Sequence, residues 1–346
     1  ASVALPAVYG TGSPKGNNAE MKTDGWELSL SWRDSFKLGG KPFDYSIKAM
    51  VWDSKSVITK YVNDTGSLGT VKGFIENGGS PSSYYVGMTV GEIWGYTVAG
   101  LFRDQADIDS SAIHDFVQAS DKVTRPGQVK IADLDGNGFI DPGNFAVDDH
   151  GDLRIIGNQS PRYRYGVNLS ARWNGIGLSV FLQGVGARDW YPGSDAGMFW
   201  GKYGRPFFAL IPSIHNYTDD MYSAERNNWD TAYWPRMTTY QSNGTKNWTR
   251  LLEIPNTRYI QSAAYLRVKN IQLDYSFPKH ICSAIRLQGL KIYVNAENLF
   301  TFTPLHKYAP NFDPEGLSYD SDFASAADGY TYPILKSVTV GVNITF

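Results

Sequence analysis

The segment Asp133-Leu134-Asp135-Gly136-Asn137-Gly138-Phe139-Ile140-Asp141 places oxygen donors at alternate positions. Asp133, Asp135, Asn137 and Asp141 fall at positions one, three, five and nine of a calcium loop. Gly138 at position six would allow the sharp turn, and the backbone carbonyl of Phe139 would supply position seven. A hard cation such as Ca2+ takes oxygen ligands of this kind. Position twelve is Asn144 where a bidentate Glu would normally close the shell, so Asp148 or Asp149 would have to substitute. The same residues also suit a metal-free turn closed by side-chain-to-backbone hydrogen bonds, and both readings stand at this level.

A second cluster is aromatic. Between Ala187 and Ala264 the chain carries Trp190, Tyr191, Trp200, Trp229, Tyr233, Trp234 and Trp248 among polar and Asn-rich residues. Aromatic faces bind the apolar faces of sugars and anchor peptide side chains, which makes these seven the candidate ligand contacts. The alternative is that they pack the loop against itself. No catalytic set is found: His114, His150, His215, His280 and His306 lie in connecting segments without metal-ligand spacing or a nucleophile elbow, so an enzyme is not indicated.

The elements that must position these residues are strands. Trp26, Leu28, Leu30 and Trp32 alternate with Glu27, Ser29, Ser31 and Arg33. Phe43, Tyr45, Ile47, Ala49 and Val51 form the next apolar series. Tyr163, Tyr165, Val167, Leu169, Ala171 and Trp173 lead into Asn174-Gly175, whose residues both accept positive φ, and on to Ile176, Leu178, Val180 and Leu182. From Tyr265 to Phe277 the apolar phase slips near Lys269-Asn270, which predicts a bulge. Ile292, Val294, Ala296, Phe300 and Phe302 form a sixth strand, and Val338, Val340, Val342, Ile344 and Phe346 a seventh. The connections strictly alternate between short and long, and three far exceed the roughly 15 residues that compact domains tolerate without structure. Outer-membrane barrels have tight periplasmic turns and long outside loops. That orientation puts Phe346 on the periplasmic side, with aromatics such as Trp26, Trp173, Tyr275 and Phe302 in the interfacial girdles.

Composition agrees and excludes other classes. Lys+Arg 32 against Asp+Glu 34 leaves a net charge of -2 over 346 residues, which offers no case for a nucleic-acid partner. No run of about 18 apolar residues exists, so a membrane-spanning helix is excluded while a barrel is not. Mean hydropathy of -0.33 does not separate soluble from barrel proteins. The single Cys282 cannot form an internal disulfide, and no signal peptide is found at Ala1. Seven strands cannot close the usual even-stranded barrel, and an open sheet in lipid would leave backbone groups unpaired, so further strands are expected from a longer polypeptide.

Six stretches carry a family resemblance: Lys22 to Leu28, Val90 to Tyr96, Asp133 to Asp141, Tyr163 to Gly166, Tyr265 to Asn270 and Asn298 to Thr301. Together they resemble the C-terminal region of SusC/RagA-type TonB-dependent transporters, and Phe346 resembles the end signal read by barrel-assembly machinery. The resemblance implies an all-β fold, an antiparallel transmembrane β-barrel segment of about seven strands within a barrel of about 22. It also implies residence in the outer membrane of a Gram-negative-type cell and import of a bulky nutrient, glycan or oligopeptide. A SusD-like surface lipoprotein would deliver the nutrient, and the remainder of the transporter, including a plug, would contact TonB. In these terms residues 1–346 are a C-terminal portion of the barrel, 53–162 a long extracellular loop with the Asp-rich motif, and 187–264 an aromatic-rich extracellular loop. No plug is expected in this chain. The competing expectation is a soluble calcium-dependent carbohydrate-binding or carbohydrate-cleaving β-protein, whose alternating apolar residues would be sealed against a second sheet.

Overall fold

The structure is a computed structural model that describes residues 17, 19–69, 79–113, 124–192, 197–200, 220–236, 254–317 and 334–346. Along them run the strands β1 (Glu20–Leu38), β2 (Lys41–Lys60), β3 (Glu92–Tyr96), β4 (Val98–Leu101), β5 (Val129–Ile131), β6 (Leu153–Asn158) and β7 (Arg162–Trp173). They are followed by β8 (Ile176–Ala187), β9 (Asp189–Trp190), β10 (Gln261–Ser262), β11 (Tyr265–Ser276), β12 (Gly289–Phe302) and β13 (Ser337–Thr345).

Seven strands form one antiparallel sheet in the order β1-β2-β7-β8-β11-β12-β13, so each strand pairs with the next one along the chain that belongs to the sheet. Pairing across the sheet sorts the residues into rows. One row reads Trp32, Ile47, Leu169, Val180, Ile271, Ala296 and Val338, apolar in every strand. A neighbouring row of the opposite parity reads Arg33, Ser46, Ser170, Ser179, Gln272, Asn295 and Thr339, polar in every strand. Because side chains alternate across a strand, the first row lies on one face and the second on the other. The apolar face is not covered: Leu178 is 42% exposed, Leu273 52% and Val338 65%.

The two local signals in the sequence are realised. Asn174 and Gly175 take φ of 50° and 87° and close the β7–β8 hairpin, where a Cβ on Gly175 would approach Ser276 O to 2.7 Å. The register of β11 shifts between Val268 and Asn270 against both neighbours: against β8 Lys269 is the extra residue of the bulge, and against β12 the extra residue lies in β12 between Glu297 and Phe300, where Asn298 takes φ of 53°. The first two strands are longer than the alternation indicates, since β2 runs beyond Trp52 to Lys60 and β1 begins at Glu20.

Where the structure describes them, the long connections are folded. Three two-stranded sheets, β3–β6, β4–β5 and β9–β10, cluster around a hydrophobic core that includes Leu68, Ile93, Tyr96, Leu153, Trp190, Trp234, Tyr259 and Phe312. β3 is buried along its whole length, and Tyr96 N and O bond Pro255 O and Thr257 N at 2.8 and 3.0 Å. Burying this many apolar side chains offsets the entropy of ordering such long connections.

Candidate functional site

Three groups of side chains are candidates for function. The first is the aspartate loop. Asp133 and Asp135 come together with Asp152, their carboxylate oxygens all within 4.8 Å of one another. Asp133 accepts from Gly136 N at 2.6 Å and Gly138 N at 2.9 Å, and Asp135 accepts from Asn137 N at 3.0 Å. Asn137 Oδ1 accepts from Phe139 N at 2.7 Å, while Asp141 Oδ1 accepts from Gly143 N. The carboxylate brought up to Asp133 and Asp135 is that of Asp152, buried just before β6, while Asp149 accepts from Asn144 Nδ2. Its carboxylate accepts from Leu134 N at 2.6 Å and Asp141 N at 3.1 Å.

The electrostatics of the cluster are mixed. Burial pushes the Asp152 carboxyl above the usual carboxylate range, and the charges of Asp135 and Asp133 add to that. The backbone N–H of Gly138 holds Asp133 below it, helped by those of Gly136 and Asn137. Three converging carboxylates, one of them desolvated, form a donor set suited to a hard cation. The loop's own hydrogen bonds equally close the metal-free turn. Asp152 lay outside the sequence reading because it stands 11 residues beyond Asp141, past the reach of a local loop pattern.

The second group is the aromatic cluster. Trp190, Tyr191, Trp200 and Trp234 are 0 to 2% exposed, and their rings are met by other rings. Trp234 stacks on Tyr259 at 5.7 Å, Phe199 stands edge-on to Trp200 at 4.7 Å, and Trp190 meets Phe312 at 4.9 Å. These four of the expected ligand contacts are packed in the core of the folded loops. Tyr233 is half-buried and stacked on Tyr308 at 3.7 Å, and Trp229 remains exposed. Trp248 lies outside the described residues.

The third group lines the polar face. Asp274 meets Lys291 at 3.0 Å and Arg172 at 4.0 Å near the hairpin end of the sheet. At the loop end, Arg267, 3% exposed at its side chain, meets Asp313 at 2.7 Å and Glu315 at 3.3 Å. The bulge residue Lys269 reaches Glu315 at 2.8 Å. Arg188 donates to Pro314 O and Leu317 O. Residues 313–317, after the short 3-10 turn Pro304–Lys307, are thereby fastened against the polar side of β11. This clamp pairs residues some 46 positions apart and has no sequence signature. Arg164 and Glu297 also belong to the polar face, since they pair with Trp52 and Asn270.

No protein-family model matches the chain. It is similar to TonB-dependent receptor P3 of Formosa agariphila, 24% identical over 99% of this chain and 30% of the relative. TonB-dependent receptor P26 of the same organism is 22% identical over 99% of this chain and 31% of the relative. The chain thus spans about a third of the length of the curated relatives it matches. Among solved structures, the RagAB peptide transporter aligns with a TM-score of 0.59 and 16% identity, over all of this chain and 32% of that one. The RagAB peptide importer in its open-open state aligns with a TM-score of 0.62 and 17% identity, over all of this chain and 31% of that one. The resemblance to TonB-dependent receptors therefore runs along the whole chain. The fold is that of a segment of an antiparallel transmembrane β-barrel.

Proposed function

We propose that this chain forms part of the wall and outer loops of a TonB-dependent importer in an outer membrane. The observation that carries the reading is the apolar face shared by all seven strands, which no second layer covers among the described residues. A soluble protein cannot leave so broad a greasy surface in water without a partner, whereas lipid tails cover it without cost. The folded connections then lie on the outside, the β1–β2 and β7–β8 turns on the periplasmic side, and the polar face lines the interior. The two edge strands β1 and β13 need further strands, since a sheet edge in hydrocarbon leaves its N–H and C=O groups unsatisfied. The relatives' length agrees with a larger whole.

The nutrient is bulky, a glycan or an oligopeptide, handed over by a SusD-like surface lipoprotein, with energy reaching the barrel from TonB through a plug. The names of the similar proteins support the importer reading, and the peptide transporters among them support the oligopeptide. Trp229 and Tyr233, which keep exposed surface, are the aromatic ligand contacts favoured among the described residues, and Trp248 stays a candidate beside them. The aspartate loop holds a hard cation, Ca2+ in first place, on Asp133, Asp135 and Asp152 with Asn137, Asp141 and the Phe139 carbonyl at the rim.

A lipid-soluble photoprobe applied to membranes tests the reading. Labelling of Leu273, Val338 and Val340, with Gln272 and Thr339 spared, is the expected result. Protection of the apolar positions would favour the soluble carbohydrate-binding alternative and end the importer account.

A further inference from the structure

The β-ladder between β2 and its neighbour is interrupted at the loop end. Pairing of β2 with β7 stops at Trp52 opposite Arg164, and the next partner on that side is Thr89, bridged to Val57. Val90 N then donates to Ser56 O at 2.9 Å. Between these points β7 turns away: Tyr163 adopts a φ of 52°, unusual for a bulky residue, and its N–H goes to the Asp53 side chain at 3.2 Å. The break opens a cavity of about 170 Å³ lined by Ser54, Lys55, Ser56, Ser160, Arg162 and Arg164.

The lining is rich in donors and short of negative charge. Of the three cations, only Arg162 is neutralised, by a two-pronged contact with Asp53 whose Nε–Oδ1 bond is 2.6 Å. Lys55 and Arg164 make no ion pair among the described residues. The nearby acids are engaged elsewhere. Asp24, opposite Lys55 in the register, meets Lys22 at 2.9 Å. Glu92 accepts from Thr89 N and Tyr85 Oη, and Asp189 accepts from Asn158 N. Ser54, Ser56 and Arg164 have the parity of the polar face, so the cavity opens on the side we assign to the interior, whereas Lys55 has the parity of the apolar face and only borders the cavity.

We propose that this break in the wall is a subsite for a carboxylate group of the transported ligand. A carboxylate needs two or more donors and a positive field, which the Arg164 guanidinium supplies together with the hydroxyls of Ser54 and Ser56. The cavity admits such a group and the atoms next to it, not a whole oligomer. The ligand's carboxylate has two sources, the free end or an acidic side chain of a peptide, or the acid of a uronic sugar. The proposal rests on the importer reading above.

The test uses the full-length polypeptide in detergent, titrated calorimetrically with tetra-alanine against its C-terminal amide, and with tetragalacturonate against its methyl ester. In at least one arm the acid is expected to bind about tenfold more tightly than its neutral form, since a charge-assisted hydrogen bond is lost. Arg164→Gln should erode that preference, and Lys48→Gln, lower on the same face, should leave it. Which arm responds identifies the source. Equal binding of acid and neutral forms, a preference that survives Arg164→Gln, or no binding in either arm overturns the subsite. Lipid photolabelling judges the barrel separately, so the two failures are distinguishable.

Discussion

At the residue scale the aspartate loop is the place where charge, burial and pH meet. The raised carboxyl of Asp152 contributes stability that is full below the ordinary carboxylate range and lost as pH rises through its shifted value. Asp133, held low, contributes with the opposite sign, its stability present above the ordinary range and lost as pH falls through its own value. At neutral pH the desolvated Asp152 charge therefore opposes the fold of the loop, and a cation would replace the missing proton. Calcium at about a hundred times its Kd should then stabilise the loop by roughly 2.7 kcal/mol. Limited proteolysis of residues 129–158 should show that protection at pH 7, its disappearance on acidification, and its absence in Asp152→Asn. Protection that is unchanged by calcium at pH 7 would leave the metal-free turn as the account.

At the element scale the sheet depends on close approaches that only certain residues permit. Gly184 in β8 lies opposite Tyr165, whose ring covers it and whose hydroxyl donates to Tyr265 O at 3.0 Å. A Cβ there would stand 2.3 Å from Tyr265 O and 2.4 Å from the phenol, and backbone cannot move aside as a flexible side chain can. Gly184→Val should destabilise the β7–β8–β11 region by about 1 to 3 kcal/mol and lower the yield of folded, heat-modifiable protein on gels. Gly186, where a Cβ would sit 3.1 Å from Tyr163 Cβ and 3.3 Å from Tyr163 O, is the milder comparison. The elements themselves were legible because alternation has a period of two in strands whose faces meet different solvents. The Asn174-Gly175 turn and the Lys269 bulge were legible for local reasons, a φ requirement and a phase slip. The small sheets β3–β6, β4–β5 and β9–β10 were not, since their strands are short and their partners lie far along the chain.

At the scale of the whole molecule, the segregation of an apolar from a polar face decides the environment. Leu273 sits on the apolar face between Leu178 and Val294, and Gln272 sits beside it on the other face. Leu273→Arg should cost about 2 to 4 kcal/mol if that face meets hydrocarbon near the midplane, and Gln272→Arg should cost little. Urea titration of protein folded into lipid vesicles measures the difference, and equal costs would deny the membrane reading. The chain's residues alone determined the seven strands, their two faces and the short-long alternation of connections, because each follows from patterns a few residues long. Tertiary structure decided the rest. It drew Asp152 to Asp133 and Asp135, buried Trp190, Tyr191, Trp200 and Trp234 in a loop core, clamped residues 313–317 to Arg267 and Lys269, and opened the ladder beside Arg164. Those contacts join residues that the chain separates widely, and only packing decides whether an aromatic ring or a carboxylate ends inside or at the surface.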